Sequence, residues 1–117
     1  MPKIDDLTRL KHIEQSVEEA IGFIQNRDRQ SLNRERMLSL ALVRLIEIIG
    51  EAANNISPPR KDRYPEIPWK RIIGMRNRLA HAYFEVDLDI IWQVVSHDLP
   101  NILPIVKKAI SELEDSS

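Results

Sequence analysis

The sequence predicts an all-α protein, a bundle of four or five helices built as a single domain over residues 1–117. Three observations predict it. Apolar residues recur at spacings of three and four along nearly the whole chain, which is the helical period, while the alternation of a half-buried strand is almost absent. At 117 residues, 43% apolar and 30% charged, the chain can bury one core and has no room for a second. Four of the seven prolines fall within Ser57 to Pro68, where they divide the helical pattern.

The first helix is expected from Ile4 to about Asn26, with Leu7, Leu10, Ile13, Val17, Ala20 or Ile21, and Ile24 on one face and charges between them. Arg27 to Asn33 is polar and aperiodic, a connection in which Ser31 or Asn33 is placed to cap the next helix. That second helix, starting near Arg34, is the most apolar segment and is expected to be the buried central one, with Met37 among its core residues. Arg44, Glu47, Glu51 and Asn54 or Asn55 nevertheless draw a polar stripe along it, which must face solvent, a cleft or a partner because unpaired buried charge is costly.

Ser57 to Pro68 reads as a rigid surface loop, and Pro68 suits the first turn of a third helix carrying Trp69, Ile72, Ile73, Ala80 and Tyr83 on its apolar face. Arg76 stands on that face where the pattern asks for something apolar. Phe84 to Leu88 is expected to be a short connection, with Asp87 or Asp89 capping a fourth helix through Ile90, Ile91, Val94 and Val95. Pro100 and Pro104 are expected to kink or restart it before a last helical stretch to Leu113. Met75, Trp69 and Trp92 fit the core; His12 and His97, without catalytic neighbours in sequence, fit the surface.

Composition narrows the chemistry. Without cysteine there can be no disulfide, iron–sulfur cluster, thiolate zinc site or cysteine nucleophile, which fits a reducing, cytoplasmic setting. Three scattered histidines make a poor metal cage, so no metal is expected. Charges cut every apolar run, as Arg44 ends Leu40 to Val43, so neither a membrane span nor a signal peptide is expected. Three glycines, Gly22, Gly50 and Gly74, cannot assemble a phosphate-cradling loop, and no cofactor is expected. The net charge of −1 hides an asymmetry, because residues 27–78 carry 12 Lys/Arg against 6 Asp/Glu and the remainder 5 against 12. A positive middle band can attract a polyanion, and solvated helix faces also produce such blocks.

Arg76 and His81 pair a forked, permanently charged phosphate binder with a group that titrates near neutral pH, the two side chains that cleave nucleic acid without metal. With 11 arginines and 3 histidines the spacing alone is close to chance. Five residues also turn an ideal helix by about 140°, putting the two on different faces unless the helix ends early or a second subunit completes the site. Asn77, four residues from His81, is placed to fix the imidazole tautomer, and Tyr83, seven from Arg76, to lie beside the guanidinium. Glu47 and Glu51 could hold a divalent ion, act as acid and base, balance Arg44, or anchor Arg76 or Asn77.

The string from Arg76 to Tyr83, R-N-R-L-A-H-A-Y, resembles the signature of the HEPN superfamily and specifically its HepT-like toxin branch: Arg, four residues, His, one residue, Tyr. Leu45 to Ala53, Tyr64 to Met75, Val86 to Trp92 and Asp98 to Pro100 resemble the flanking stretches of that branch. The resemblance implies an up-and-down helical homodimer, a metal-independent ribonuclease toxin whose partner is a minimal nucleotidyltransferase antitoxin. It implies His81 as general base on a ribose 2′-OH, Arg76 as stabiliser of the phosphorane charge, Asn77 as orienting residue, and adenylylation of Tyr83 by the antitoxin. Glu47 and Glu51 remain supporting candidates. A non-catalytic HEPN module that docks a nucleotidyltransferase or holds a nucleotide shares the fold and the partner, and is the alternative.

Overall fold

A computed structural model describes residues 5–81 and 87–115, with the side chains of residues 79–81 outside the description. The described residues form helices and turns and no strand. Helix α1 (Asp6–Phe23) starts where the Asp5 carboxylate accepts the Thr8 amide at 2.8 Å. It buries Leu10, Ile13, Val17 and Ala20. Asn26 then turns the chain in the left-handed region at φ 62°, a conformation asparagine tolerates better than most residues.

The expected connection contains a short helix, α2 (Ser31–Arg34). Neither Ser31 nor Asn33 caps the central helix α3 (Arg36–Asn54), which begins at Glu35 without a side-chain cap. Ser31 is drawn instead into a reciprocal pair with Asp28: its amide donates to Asp28 Oδ1 at 3.0 Å and its hydroxyl accepts the Asp28 amide at 3.1 Å. Helix α3 lies between α1 and α5, burying Leu38, Leu42, Leu45, Ile46, Ile49, Ala52 and Ala53. Met37, expected in the core, is 86% exposed, and Leu40 is 54% exposed. Helix α3 is more apolar than its neighbours within the chain can cover, so its first turns carry a bare apolar stripe.

Ser57 to Pro68 is more ordered than a loop. Pro58 and Pro59 occupy the first turn of α4 (Pro58–Asp62), where a missing amide proton costs nothing. The Ser57 amide and hydroxyl both donate to Asp6, at 3.0 and 2.6 Å, tying α4 to the start of α1. Tyr64 donates its hydroxyl to Glu112 Oε1 at 2.6 Å, and Trp69 Nε1 donates to the carbonyls of Tyr64 and Lys61. These contacts fix the start of α5 (Trp69–His81), whose Arg71 also pairs with the mostly buried Asp98 at 2.9 Å.

Asp87 caps α6 (Leu88–Gln93), accepting the amides of Asp89 and Ile90. The chain then widens into a π-helical turn over Val94–Asp98 and continues as α7 (Leu99–Asp115), which packs on α1. The prolines do not restart the helix. The Leu99 amide reaches back five residues to Val94, immediately before Pro100 has no amide to offer, so the break in the ladder coincides with the wide turn. Pro104, inside α7, is exposed.

Candidate active site

Helices α3 and α5 meet at a glycine. A Cβ built on Gly50 would fall 2.2 Å from Arg76 Cβ, 2.9 Å from Arg76 Cγ and 3.1 Å from the Ile72 carbonyl oxygen, so the root of Arg76 occupies the place of the missing side chain. The same element that breaks the apolar pattern of α3 thus accommodates the residue that breaks the pattern of α5. Above this notch the guanidinium is held at two nitrogens: Nη2 pairs with Glu51 Oε2 at 2.6 Å and Nη1 donates to Asn77 Oδ1 at 3.0 Å. About a third of the Arg76 side chain stays exposed, so a charge positioned from below still faces outward.

Arg76 opens into a groove of about 320 Å³ between α1, α3 and α5, lined by Arg9, His12, Arg44, Glu47, Ile48, Glu51, Ala52 and Arg76. The polar stripe of α3 forms its floor. Arg44 Nη1 lies 3.4 Å from Glu47 Oε2, and Asn55 Nδ2 donates to the Glu51 carbonyl oxygen at 2.8 Å. Arg44, Glu47, Glu51 and Arg76 are therefore brought together, while Asn77 meets the site through Arg76. Both carboxylates face arginines, and among the described residues no three His, Cys, Asp or Glu side chains gather as metal ligands would.

His81 closes α5, with its side chain outside the described residues, and Tyr83 lies outside them entirely. Two residues that sequence reasoning passed over join the groove. Arg9 is unforeseen, and His12 is exposed as expected while also lining the groove. They stand three apart on α1, Arg9 half-buried at the edge of the Leu10 and Ile13 stripe and His12 exposed one step further round. Where that side of the helix lies is decided by how α1 packs on α3, which periodicity does not report. Gly50 entered the sequence reading only as one of three glycines too few for a phosphate loop, and its role as the notch beneath Arg76 is given by the packing of α3 on α5.

A family profile described as ribonuclease HepT-like matches residues 13–109. Curated relatives include a protein of Methanocaldococcus jannaschii named, by inference, as an RNase, 33% identical over 98% of this chain and 99% of its own length. Another, from Caldanaerobacter subterraneus and named in the same way, is 34% identical over 88% of this chain and 92% of its own. A protein of Thermococcus cleftensis, named by inference as a ribonuclease HepT, is 43% identical over 58% of this chain and 62% of its own. No solved structure matches the chain. Among the described residues no helix is long and apolar enough to cross a membrane.

Proposed function

We propose that this chain, which belongs to the ribonuclease HepT-like family, is the RNA-cleaving toxin of a toxin–antitoxin pair, acting in the cytoplasm as a homodimer without metal or cofactor. The observation that carries the reading is the mounting of Arg76, seated in the Gly50 notch and oriented by Glu51 at 2.6 Å on the wall of an open groove. A guanidinium fixed before substrate arrives stabilises developing phosphorane charge without reorganising.

In this mechanism the His81 imidazole takes the proton of a ribose 2′-OH, and the oxygen attacks the adjoining phosphorus. The bond from phosphorus to the 5′ oxygen breaks, leaving a 2′,3′-cyclic phosphate, and the departing oxygen takes a proton from the imidazolium of His81 in the second copy. Positioned proton transfer of this kind supplies about 10² to 10⁴ in rate. Arg76 bears the charge that accumulates on the non-bridging oxygens. Asn77 acts through its contact with Arg76, and Glu51 and Glu47 act as positioning residues for Arg76 and Arg44. The bare Met37 and Leu40, on the face of α3 that also carries Arg44, support a second copy seated there. An intact Tyr83 supports control by an antitoxin nucleotidyltransferase, since an AMP group beside Arg76 would compete with RNA phosphate for the same cation.

The test is cleavage of a labelled RNA by purified protein in chelator. Wild type should release fragments ending in cyclic phosphate, spare the matching DNA, and lose activity in Arg76→Ala and His81→Ala dimers that remain folded. Failure of all three proteins to cut any RNA, with an intact fold, favours a docking module instead. Incubation with the nucleotidyltransferase and ATP should add AMP mass to wild type and none to Tyr83→Phe.

A further inference from the structure

We infer that Arg9 forms a second phosphate subsite, binding a phosphodiester of the RNA that flanks the one held by Arg76; this rests on the reading of the chain as a ribonuclease. Three arginines and two carboxylates line the groove, and each carboxylate has an arginine of its own: Glu51 takes Arg76 at 2.6 Å and Glu47 takes Arg44 at 3.4 Å. Arg9 is the charge left over. Its Nε is buried and has no hydrogen-bond partner among the described residues. Arg60 Nε is enclosed in the same way although Arg60 pairs with Asp6, so it is the uncompensated charge of Arg9 on the groove wall, and not the enclosed nitrogen, that calls for an anion.

The chemistry of that group follows from its surroundings. The groove is open, about 320 Å³, and contains a surplus positive charge, so the occupant is anionic. A forked donor suits the two non-bridging oxygens of a phosphodiester. Arg9 and Arg76 reach the same groove from different helices, α1 and α5, so an RNA strand running along the groove meets one cation at the cleaved linkage and another at a neighbouring one. Arg9 touches backbone only and carries no base preference. Its contribution therefore enters as affinity that depends on salt.

The experiment measures fluorescence anisotropy of a short RNA made uncleavable by 2′-O-methyl groups, across a KCl series, alongside cleavage of the unmodified strand. Arg9→Gln should bind the uncleavable RNA about 10-fold more weakly, with the slope of log affinity against log salt reduced by about 0.7, one single-strand phosphate. It should raise KM with kcat within about two-fold, because uniform binding is lost. Arg9→Lys, keeping the charge, should restore the slope. Lys11→Gln, on the same helix but paired with Glu114 outside the groove, should match wild type. If wild type cleaves RNA and Arg9→Gln is indistinguishable from Lys11→Gln, the subsite is refuted and the ribonuclease reading stands. Loss of kcat with unchanged salt slope, unrepaired by lysine, refutes it too. If wild type neither binds nor cuts RNA, both fall.

Discussion

Replacing Gly50 with alanine tests the joint between α3 and α5 and, through it, the placement of Arg76. The added methyl would lie 2.2 Å from Arg76 Cβ and 3.1 Å from the Ile72 carbonyl oxygen, where carbon pairs rest at about 3.5 to 4.0 Å. Both obstacles belong to the frame of α5, so no rotamer change relieves them, and the helices must part by about 1 Å or more. Overpacking of this kind costs about 1 to 3 kcal/mol, here near the upper end, while alanine's better helix propensity returns about 1 kcal/mol. The expected result is a net loss of about 2 kcal/mol, read as a lower urea midpoint with unchanged slope and a melting temperature down by about 8 °C. Gly74→Ala supplies the control on α5 itself: nothing lies within 4 Å of its would-be Cβ, so it should gain about 0.5 to 1 kcal/mol. RNA cleavage should drop about 100-fold in Gly50→Ala, because a shift of about 1 Å in a charge-stabilising group is that costly. Equal stability of the two alanine variants would refute the notch.

Glu51→Gln should change stability by less than about 1 kcal/mol, since both partners of the ion pair with Arg76 are substantially exposed, yet lower kcat about 10-fold without raising KM; steady-state cleavage beside urea melts reads both, and an unchanged kcat would count against the anchoring role. Tyr64→Phe should cost about 1.5 kcal/mol by removing a buried hydroxyl that donates to a carboxylate. Burial, reinforced by the neighbouring Glu112, holds the Tyr64 phenol above its ordinary 10.0. The folded form therefore keeps this proton longer than the unfolded one, and the stability it contributes, full below pH 10, is lost as pH rises through the elevated value. Thermal melts above pH 10 should decline more steeply in wild type than in Tyr64→Phe. Leu40→Lys should leave the melting of the fold nearly unchanged, because Leu40 is more than half exposed, and give a monomer in light scattering with loss of cleavage where wild type gives the proposed dimer; a variant that still dimerises would refute the seat on α3.

The helices were legible because each buries one face, and a stripe of Leu10, Ile13, Val17 and Ala20 has the same meaning wherever its partner lies. What sequence could not supply was which partner covers which face. Met37 has the residue type and spacing of a core position, and yet it is 86% exposed. The prolines of Ser57 to Pro68 announced a break and concealed a helix, because proline disfavours most helix interiors and suits the first turn. In the groove, Arg76 was conspicuous as a charge on an apolar face, and Glu51 as part of a stripe. Arg9 and His12 were silent, since nothing local distinguishes an exposed arginine from one that a neighbouring helix has turned into a wall.

The five-residue turn at Val94–Asp98 also sets the phase of everything after it. It takes up one residue more than an ordinary turn does, so winding the same residues as plain α-helix would swing the later half of the rod by about 100°. Leu99, Ile102 and Val106 would then rotate away from the interior and present their oily side to water. The wide turn is in this sense slack already taken up: loss of one residue there should be absorbed by ordinary winding, whereas a further insertion should throw the later half out of register.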